Sequence, residues 1–457
     1  MVAVAENRWE LIRNAFPKEG LFAEKDWLLS PDAFPIEKQF ERELEQLGHR
    51  LFVFQRACNQ LYQLSVKGKQ PAWVARYLDA GKPPELIELS RQKQFRDDLP
   101  RVIRPDLILT DEGCTIAEID SVPGGIGLTG WLNQTYSGFE KEIVGGADGM
   151  LEGFQSVFPN GGDIVISQEA ATYRPEMEWM AARLQDRNRP PHLNPLPQTG
   201  GETKTGRRFE WRVVVAENYE PQDGRDVYRF FELFDLPNIP NIDKTLRAAA
   251  DGKIKITPPI KPYLEEKMWF AFFWMQPLRE FWRRELGEKY FLKLREVIPY
   301  SWLLDPTPLP QHAVIPRLEI QDWQEAGRFS QKERDLLLKV SGFSPLGWGS
   351  RGIALGSDLP HAEWQQRIEN ALTTFETSPT ILQRFHKGRL FEHRYWDPGS
   401  GELKAMKGRV RLCPYYFIEE DRVKLRGALA TIVPADKKLL HGMSDAILVP
   451  TKIDAKS

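Results

Sequence analysis

The chain has 457 residues, of which 41% are apolar and 28% charged, so it can bury a large core and has an ordinary globular composition. A formal net charge of −2 gives no electrostatic basis for nucleic acid or an anionic membrane as a partner. Only three cysteines occur, Cys58, Cys114 and Cys413, and their wide separation argues against a disulfide framework or a zinc knuckle.

Targeting and membrane segments are also not expected. The first residues, "MVAVAENRWELIRNAF", lack the basic and apolar segments of a secretory signal. The most apolar run, 268–275, is too short to cross a bilayer, which takes roughly 20 residues. We therefore expect a soluble, cytoplasmic protein.

Residues 1–100 are predicted to be mostly helical. Between 35 and 66 the apolar residues recur three and four positions apart, which places Leu47, Leu51, Phe54 and Cys58 on one stripe of a helix. No residue pattern in this region indicates chemistry.

From about residue 100 the pattern changes to short strands that alternate with helices, which is typical of α/β construction. The predicted strands are 101–109, 114–119, 162–167 and 209–216, and the predicted helices are 127–140 and 174–185. A Pro- and Gly-rich loop is expected over 186–208 and a Trp- and Phe-rich helical region over 263–298. The last third predicts a strand, a Gly/Ser loop and a strand over 334–355, then strands at 378–385 and 424–434.

The segment "RPDLILTDEGCTIAEID", 104–120, reads as a β-hairpin with an unusual concentration of charge. If 111–113 is a three-residue turn, with Gly113 in the left-handed position, Asp106 lies opposite Glu118 and Arg104 opposite Asp120. Residues two apart on a strand share a face, so all four side chains share one. Opposed carboxylates repel unless a cation lies between them.

Two interpretations of this charged face are open. It could be a solvated face with one salt bridge. Alternatively, it could bind magnesium and phosphate, because the other face is apolar and the strand leads into the Gly-rich turn of "SVPGGIGLTGWLNQ" (121–134), whose N–H groups can hold an anion at the start of a helix. Carboxylate and phosphate oxygens are the ligands that Mg²⁺ prefers.

A second Gly-rich segment, "KVSGFSPLGWGSRG", follows a predicted strand at 339–352. Its lysine precedes the glycines, so it matches neither a Walker A loop nor a dinucleotide-binding loop. It could be a flexible surface hairpin. It could equally be a flap whose N–H groups cover phosphates, with Lys339 adding a positive charge.

Together these motifs resemble the ATP-grasp superfamily in the permuted order of glutathionylspermidine synthetase. That family has R-x-D and then E-x-N, with the glutamate twelve residues after the aspartate. Here Arg104-Pro-Asp106 and Glu118-Ile-Asp120 have that interval, with Asp120 in the place of the asparagine. The family then has a lysine before a Gly-rich loop, matched by Lys339, and a strand that carries a glutamine, matched by Gln383. It also has a later strand that ends in L-R-G, matched by Leu425-Arg426-Gly427.

The resemblance runs from about 100 to about 450 and implies a mixed α/β fold in four regions. These are a helical N-terminal region (1–100), a central α/β region with the metal-binding hairpin (101–310), a β-rich ATP lid (311–385) and return strands that complete the core (386–457). One departure concerns the second nucleotide-binding lysine of the family. Trp302 of "VIPYSW" stands at that place, and Lys267 and Lys293 are the candidates to replace it.

The resemblance also implies an activity: ATP phosphorylates a substrate carboxylate, and an amine attacks the acyl phosphate to give an amide. Asp106, Glu118 and Asp120 would hold two Mg²⁺ ions, and Arg104, with Arg426 as a second candidate, would hold the transferring phosphoryl group. ATP would be bound by the backbone of Leu382 and Gln383 at the adenine, and at the phosphates by these residues of the lid: Lys339, Ser341, Gly342, Ser344, Gly347, Gly349, Ser350 and Arg351. The alternatives are a degenerate relative that binds nucleotide or peptide without ligating, and a structural protein.

Overall fold

The computed structural model describes residues 2–17, 21, 27–187, 210–347, 351–440 and 445–454. Most of the loop predicted over 186–208 lies outside the described residues, as do Gly349 and Ser350 of the predicted lid loop. Among the described residues, no helix combines the length and the apolar character that crossing a membrane requires.

The helices and strands follow each other in mixed order along the chain. The helices are α1 (Val2–Ala15), α2 (Lys38–Val66), α3 (Ala72–Asp79), α4 (Pro84–Ser90), α5 (Ile126–Ser137), α6 (Gly149–Val157), α7 (Arg174–Arg187), α8 (Ile242–Ala250), α9 (Met268–Trp274), α10 (Arg279–Leu286), α11 (Glu288–Val297), α12 (Trp323–Ala326) and α13 (His361–Thr373). The strands are β1 (Phe34–Glu37), β2 (Val102–Thr110), β3 (Gly113–Asp120), β4 (Gly161–Ile166), β5 (Glu210–Val215), β6 (Val227–Phe230), β7 (Ile256–Thr257), β8 (Ser301–Leu303), β9 (Leu336–Val340), β10 (Ile353–Leu355), β11 (Thr380–Arg384), β12 (Leu390–Trp396), β13 (Leu403–Glu419), β14 (Arg422–Pro434) and β15 (Ile447–Asp454).

The largest sheet has the strand order β1-β15-β14-β13-β2-β3, with β12 also paired to β13. Helix α2 covers one face, where the Tyr416 hydroxyl donates to the carbonyl of Leu44 at 2.7 Å. The predicted stripe of α2 is buried as expected. Helices α5 and α6 pack on the opposite face, which is the face that carries the charged side chains of β2 and β3. The hairpin is therefore supported from behind by a helix-covered core.

The second sheet is parallel, with the order β5-β4-β6-β7. Ile164, Val165 and Ile166 of β4 are all buried, which agrees with the uninterrupted apolar runs typical of parallel strands. The carboxyl ends of parallel strands are where α/β folds place ligands. Glu232, just after β6, lies at that edge and accepts a hydrogen bond from Ser121, next to the end of β3.

The third sheet, which we call the lid sheet, has the order β10-β9-β11-β8. It unites the predicted strands at 334–355 and 378–385 with β8. One face packs on α12 and α13 through a buried cluster that includes Leu338, Trp364 and Leu382. The other face is turned towards the hairpin.

The chain is thus a mixed α/β protein with several sheets. The N-terminal region is helical, as predicted, apart from β1, which joins the large sheet. Prediction from sequence missed four strands of that sheet: β1, β12, β13 and β15.

Candidate functional site

The hairpin has the predicted pairing at its open end, but its turn is different. Arg104 lies opposite Asp120 and Asp106 opposite Glu118. Nearer the turn Leu107 pairs with Ile116 and Thr110 with Gly113, so the predicted three-residue turn is wrong and the turn is the two residues 111–112. Gly113 keeps a positive φ of 132° but begins β3.

A β-bulge accounts for the different pairing registers at the turn and at the open end of the hairpin. The register shifts between Asp106 and Leu107, which leaves Ala117 without a partner on β2. A bulged residue is released from the ladder, and here the carbonyl of Ala117 accepts a hydrogen bond from Lys339 Nζ at 2.7 Å. The bulge therefore links the hairpin to the lid sheet.

Arg104 is the cation that lies between the carboxylates of the hairpin. Its Nη2 atom is 3.0 Å from Asp106 Oδ1 and also donates to Asp120 Oδ2. Its Nη1 atom donates to the carbonyl of Gly124 at 3.1 Å. Because all three partners belong to the protein, Arg104 positions this face of the hairpin.

Asp106 is almost completely buried and has both carboxylate oxygens engaged. Arg411 Nη1 donates to Oδ2 at 3.1 Å, and the thiol of Cys413 donates to Oδ1 at 3.3 Å. Burial alone would raise the pKa of Asp106, but Arg104 and Arg411 together lower it below its usual value. The carboxylate therefore stays ionised near neutral pH.

Glu118 points across the cleft towards a lysine from the helical region. Lys267 Nζ lies 2.9 Å from Glu118 Oε1 and donates to the carbonyl of Gly347 at 2.6 Å. Burial opposes the charged form of Lys267, but Glu118 outweighs it and raises the lysine pKa. Of the two candidates to replace the missing family lysine, Lys267 lies at this site, whereas Lys293 is half exposed and paired with Glu296.

Lys339 is buried on β9 and faces the hairpin. Burial, together with nearby Lys267, lowers the pKa of Lys339 to about 8, although Glu118 and Asp106 oppose this shift. A buried ammonium group with one carbonyl partner retains donors for an anion.

Lys339 also lines a pocket between the lid sheet and the hairpin, which we call the lid pocket. It encloses about 720 Å³, a volume that includes space open to solvent. Its polar walls are Asp106, Glu118, Lys339, Gln383 and Arg411.

The alternation of the lid strands decides which predicted residues face this pocket. Lys339 and Gln383 point into it, and Gln383 donates to the Ser301 hydroxyl at 3.3 Å. Leu382 and Trp302, one position away on their strands, are buried in the cluster behind the sheet. Trp302 therefore occupies a core position, with its indole N–H donating to the carbonyl of Pro316.

The backbone of Leu382 and Gln383 lies in the middle of the lid sheet, because β11 pairs with β9 on one side and β8 on the other. Beyond the end of the strand, the pocket wall continues through Arg384, Phe385 and His386.

The described part of the Gly-rich loop is attached at several points. The Ser341 hydroxyl is buried and donates to Glu266 Oε2, while the N–H of Met268 donates to that hydroxyl at 3.0 Å. At the far end, Arg351 lies 2.7 Å from Glu169, which follows β4. Ser341 therefore anchors the start of the loop.

The Gly-rich turn before α5 does hold an anion, but the chain supplies it. The Glu176 carboxylate accepts from the N–H of Gly125 at 2.8 Å and from the N–H of Leu128 at 3.1 Å. Glu176 is fully buried. A carboxylate at a helix N-terminus satisfies free N–H groups and the helix dipole, so Glu176 occupies the position that one of our two interpretations assigned to an external anion.

Arg426, on β14, has partners on β13 and α6. It forms ion pairs with Glu419 and Glu152, and it does not line the lid pocket. Besides Arg104, the structure brings Arg411 to Asp106, and the sequence analysis missed Arg411. Its placement depends on the pairing of β13 with β2, and β13 was not predicted.

Further missed carboxylates lie beside the hairpin in a space we call the acidic cleft, lined by Glu118, Asp120, Glu232, Glu265 and Lys267. Burial raises the pKa of Asp120 to about 6, although Arg104 opposes this shift. Burial and the neighbouring carboxylates Glu265 and Asp120 raise the pKa of Glu232 well above its usual value.

Oxygen donors suited to Mg²⁺ are therefore present, but each hairpin carboxylate is paired with a side-chain cation. Within the described ranges, no three carboxylate, histidine or cysteine side chains converge as a metal site. The donor types fit magnesium, and the neighbouring cations are those that phosphates would attract.

Comparison with known proteins shows a shared fold. The chain is similar to a glutathione synthetase-like effector from Globodera pallida, with a TM-score of 0.55 at 9% sequence identity, covering 99% of this chain and 96% of that one. A putative γ-glutamylcysteine synthetase from Methylobacillus flagellatus has a TM-score of 0.37 at 14% identity, covering 81% and 84% of the two chains, which is too low to support a conclusion. No protein family model and no curated protein matches the chain.

Proposed function

We propose that this protein is an ATP- and Mg²⁺-dependent ligase that joins a carboxylate to an amine, of the permuted ATP-grasp type that resembles glutathionylspermidine synthetase. The observation that carries the proposal is the lid pocket. Residues far apart in the sequence, Asp106, Glu118, Lys339, Gln383 and Arg411, line one space between a lid sheet and a charged hairpin. This is the set of groups that phosphoryl transfer from a nucleotide needs.

The nucleotide would lie in the lid pocket, with its phosphates towards the hairpin. Lys339 and Lys267 would bind the phosphates, and the described loop residues Gly342, Ser344, Gly347 and Arg351 would cover them. The adenine would lie along Gln383 and the wall formed by 384–386. Closure of the loop would exclude water, which would otherwise hydrolyse a reactive acyl phosphate.

The hairpin carboxylates would bind magnesium through an exchange of partners. Phosphate oxygens would attract Lys267 and Arg411 away from Glu118 and Asp106, which frees carboxylate oxygens to face the metal. Asp120 is the third candidate ligand. Bound magnesium supplies charge neutralisation at the phosphates, which lets an anionic carboxylate approach.

Two arginines are candidates to stabilise the phosphoryl group during its transfer. Arg411 lines the pocket and contacts Asp106 through one Nη atom, so its second Nη can reach an oxygen in the pocket. Arg104 is more enclosed by its own ion pairs. Charge that develops during transfer is stabilised most by donors that are already in position, which favours Arg411 for contact and Arg104 for positioning Asp106.

The test has two stages. The first is thermal denaturation with and without millimolar ATP and Mg²⁺, where binding to the folded state raises Tm. The second is a screen of paired carboxylates and amines for ADP release that requires both. We expect stabilisation by Mg–ATP and ADP release with at least one pair, whereas absence of any Tm shift at saturating nucleotide would contradict the proposal.

One observation favours a second candidate, a protein with this fold that binds nucleotide without ligating. The hairpin carboxylates are neutralised by Arg104, Arg411 and Lys267. If these pairs persist when nucleotide binds, magnesium lacks ligands. A Tm shift with ATP that is the same with and without Mg²⁺, and no ADP release with any pair, would support this candidate.

A further inference from the structure

A buried ion pair joins the N-terminal helical region to the Gly-rich loop. Lys82, in the turn between α3 and α4, pairs with Glu266, which precedes α9. Their side chains are 0% and 1% exposed. The ion pair is therefore as enclosed as any apolar contact in the core.

Both carboxylate oxygens of Glu266 accept hydrogen bonds from the Gly-rich loop. Oε2 accepts from the Ser341 hydroxyl, and Oε1 accepts from the N–H of Phe343 at 3.4 Å. Lys82 Nζ also lies 5.7 Å from the centre of the Phe343 ring. One carboxylate, held by one lysine, thus contacts the first and third residues of the loop.

The packing around Gly342 leaves no room for a side chain at that position of the loop. A Cβ atom on Gly342 would lie 2.8 Å from Glu266 Cδ and 2.9 Å from the carbonyl oxygen of Glu265. On the other side, Gly81 has a φ of +72°, and a Cβ there would lie 1.9 Å from the carbonyl oxygen of Thr377. The Gly-rich loop therefore packs closely against 265–266 at Gly342, and the turn that carries Lys82 packs closely against Thr377 at Gly81.

A gain in folding stability is a poor explanation for why a protein contains a buried ion pair. The cost of removing two charges from water offsets most of their attraction, and apolar replacements are often as stable. A carboxylate differs from an apolar group because it accepts directional hydrogen bonds. The consequence specific to this pair is a fixed position for Ser341 and Phe343.

We infer that Lys82 positions residues 341–347 of the Gly-rich loop at the edge of the acidic cleft, which Gly342, Phe343 and Gly347 line, by holding the Glu266 carboxylate. Lys82 is a positioning residue, since it touches only protein groups. The inference rests on the proposed function only in that the loop would cover a nucleotide, and the order of the loop can be measured without one.

The primary test compares Lys82→Met with Lys69→Met, an exposed lysine of the same region. Hydrogen–deuterium exchange of 341–347 is measured without nucleotide, relative to exchange in α2 of the same sample. We expect exchange in 341–347 to accelerate about tenfold in Lys82→Met, as for loss of a hydrogen bond to a charged group, and to be unchanged in Lys69→Met. Equal acceleration throughout the protein would indicate a merely stabilising pair and would overturn the inference.

A rescue variant separates positioning from stability. In Lys82→Met/Glu266→Gln the neutral amide no longer needs a cation and can still accept from Ser341, so exchange of 341–347 should return to within about threefold of the wild type. Persistently fast exchange in the double variant would contradict a role exerted through Glu266. If Lys82→Met does not fold, Ser341→Ala replaces it, because it keeps the ion pair and removes the hydroxyl that links Glu266 to the first residue of the loop. Slow exchange in Ser341→Ala would overturn the inference.

Affinity for Mg–ATP then connects the loop to the proposed function. We expect Lys82→Met to bind Mg–ATP several-fold more weakly than Lys69→Met, as for loss of loop order. If exchange in 341–347 accelerates in Lys82→Met but the wild type does not bind ATP, the inference is supported and the proposed function is contradicted. Unchanged exchange with normal ATP binding would do the reverse.

Discussion

The two Gly-rich segments of the chain looked alike in sequence but have different surroundings. The turn before α5 presents its N–H groups to Glu176, a buried carboxylate from the start of α7. The loop after β9 follows Lys339, which lines the lid pocket, and itself lines the acidic cleft beside Lys267. The N–H groups of the first segment are satisfied by a carboxylate of the protein, whereas the second segment lies next to two lysines.

The difference shows that a Gly-rich turn does not by itself make an anion site. Glycine lets backbone N–H groups approach an acceptor closely, but the acceptor can be a ligand or a side chain. The neighbouring charge decides between them. A buried lysine with a lowered pKa favours an incoming anion, whereas a buried glutamate has already taken that place.

The largest effect should follow from Glu118→Gln, beside the open loop. We expect turnover to fall roughly a hundredfold or more, because the site loses a charge that would balance magnesium and the transferring phosphoryl group. Stability should change by no more than about 1 kcal/mol, since the amide oxygen can still accept from Lys267. ADP release with an active acid–amine pair measures the first, and urea unfolding the second. Wild-type turnover in this variant would remove Glu118 from the magnesium site.

The equivalent substitution at the turn before α5, Glu176→Gln, should lower stability and leave nucleotide binding nearly unchanged. Glu176→Gln loses one of two acceptors at the N-terminus of α5, together with its charge. We expect a loss of about 1–3 kcal/mol of unfolding free energy, with Kd for Mg–ATP within about twofold of the wild type. A marked loss of ATP affinity at unchanged stability would mean that the α5 turn does bind phosphate.

A smaller effect should follow from the raised pKa of Asp120. The folded-state pKa of about 6 lies above the unfolded value of about 3.9. The folded protein therefore holds the proton more tightly, and this contribution to stability is present below about pH 4 and is lost as pH rises to about 6. We expect Asp120→Asn to gain about 2–3 kcal/mol relative to the wild type between pH 4 and pH 7. Urea unfolding across this range tests it, with Asp111→Asn in the exposed turn as control. A gain that does not depend on pH would contradict the raised pKa.

Much of the site could be predicted where the relevant residues are close in sequence. Asp106 opposes Glu118 because a hairpin fixes its own pairing. The turn was predicted one residue too long, and the bulge at Ala117 restores the expected register at the site. A three-residue turn without a bulge and a two-residue turn with a bulge give the same pairing at the open end of the hairpin. That pairing alone therefore does not distinguish between them.

Long-range placement was the part that the sequence could not provide. Arg411 reaches Asp106 only because β13 lies beside β2, and Glu176 reaches Gly125 only because α7 packs against α5. Trp302 was interpreted as a missing lysine, whereas the alternation of the lid sheet places it in the core and leaves Lys267, from a different element, at the site. These placements depend on packing between elements, which local patterns do not encode.

The most direct test of the central claim is isothermal titration of Mg–ATP into the wild type, Lys339→Met and Lys293→Met. Lys339 is buried at the lid pocket, whereas Lys293 is exposed and paired with Glu296. We predict binding to the wild type and to Lys293→Met with similar Kd, and a loss of roughly a hundredfold or more in Lys339→Met, as for removal of a desolvated charge that contacts phosphate. Equal Kd values for all three proteins, or no binding to the wild type, would contradict a nucleotide site beneath the lid sheet.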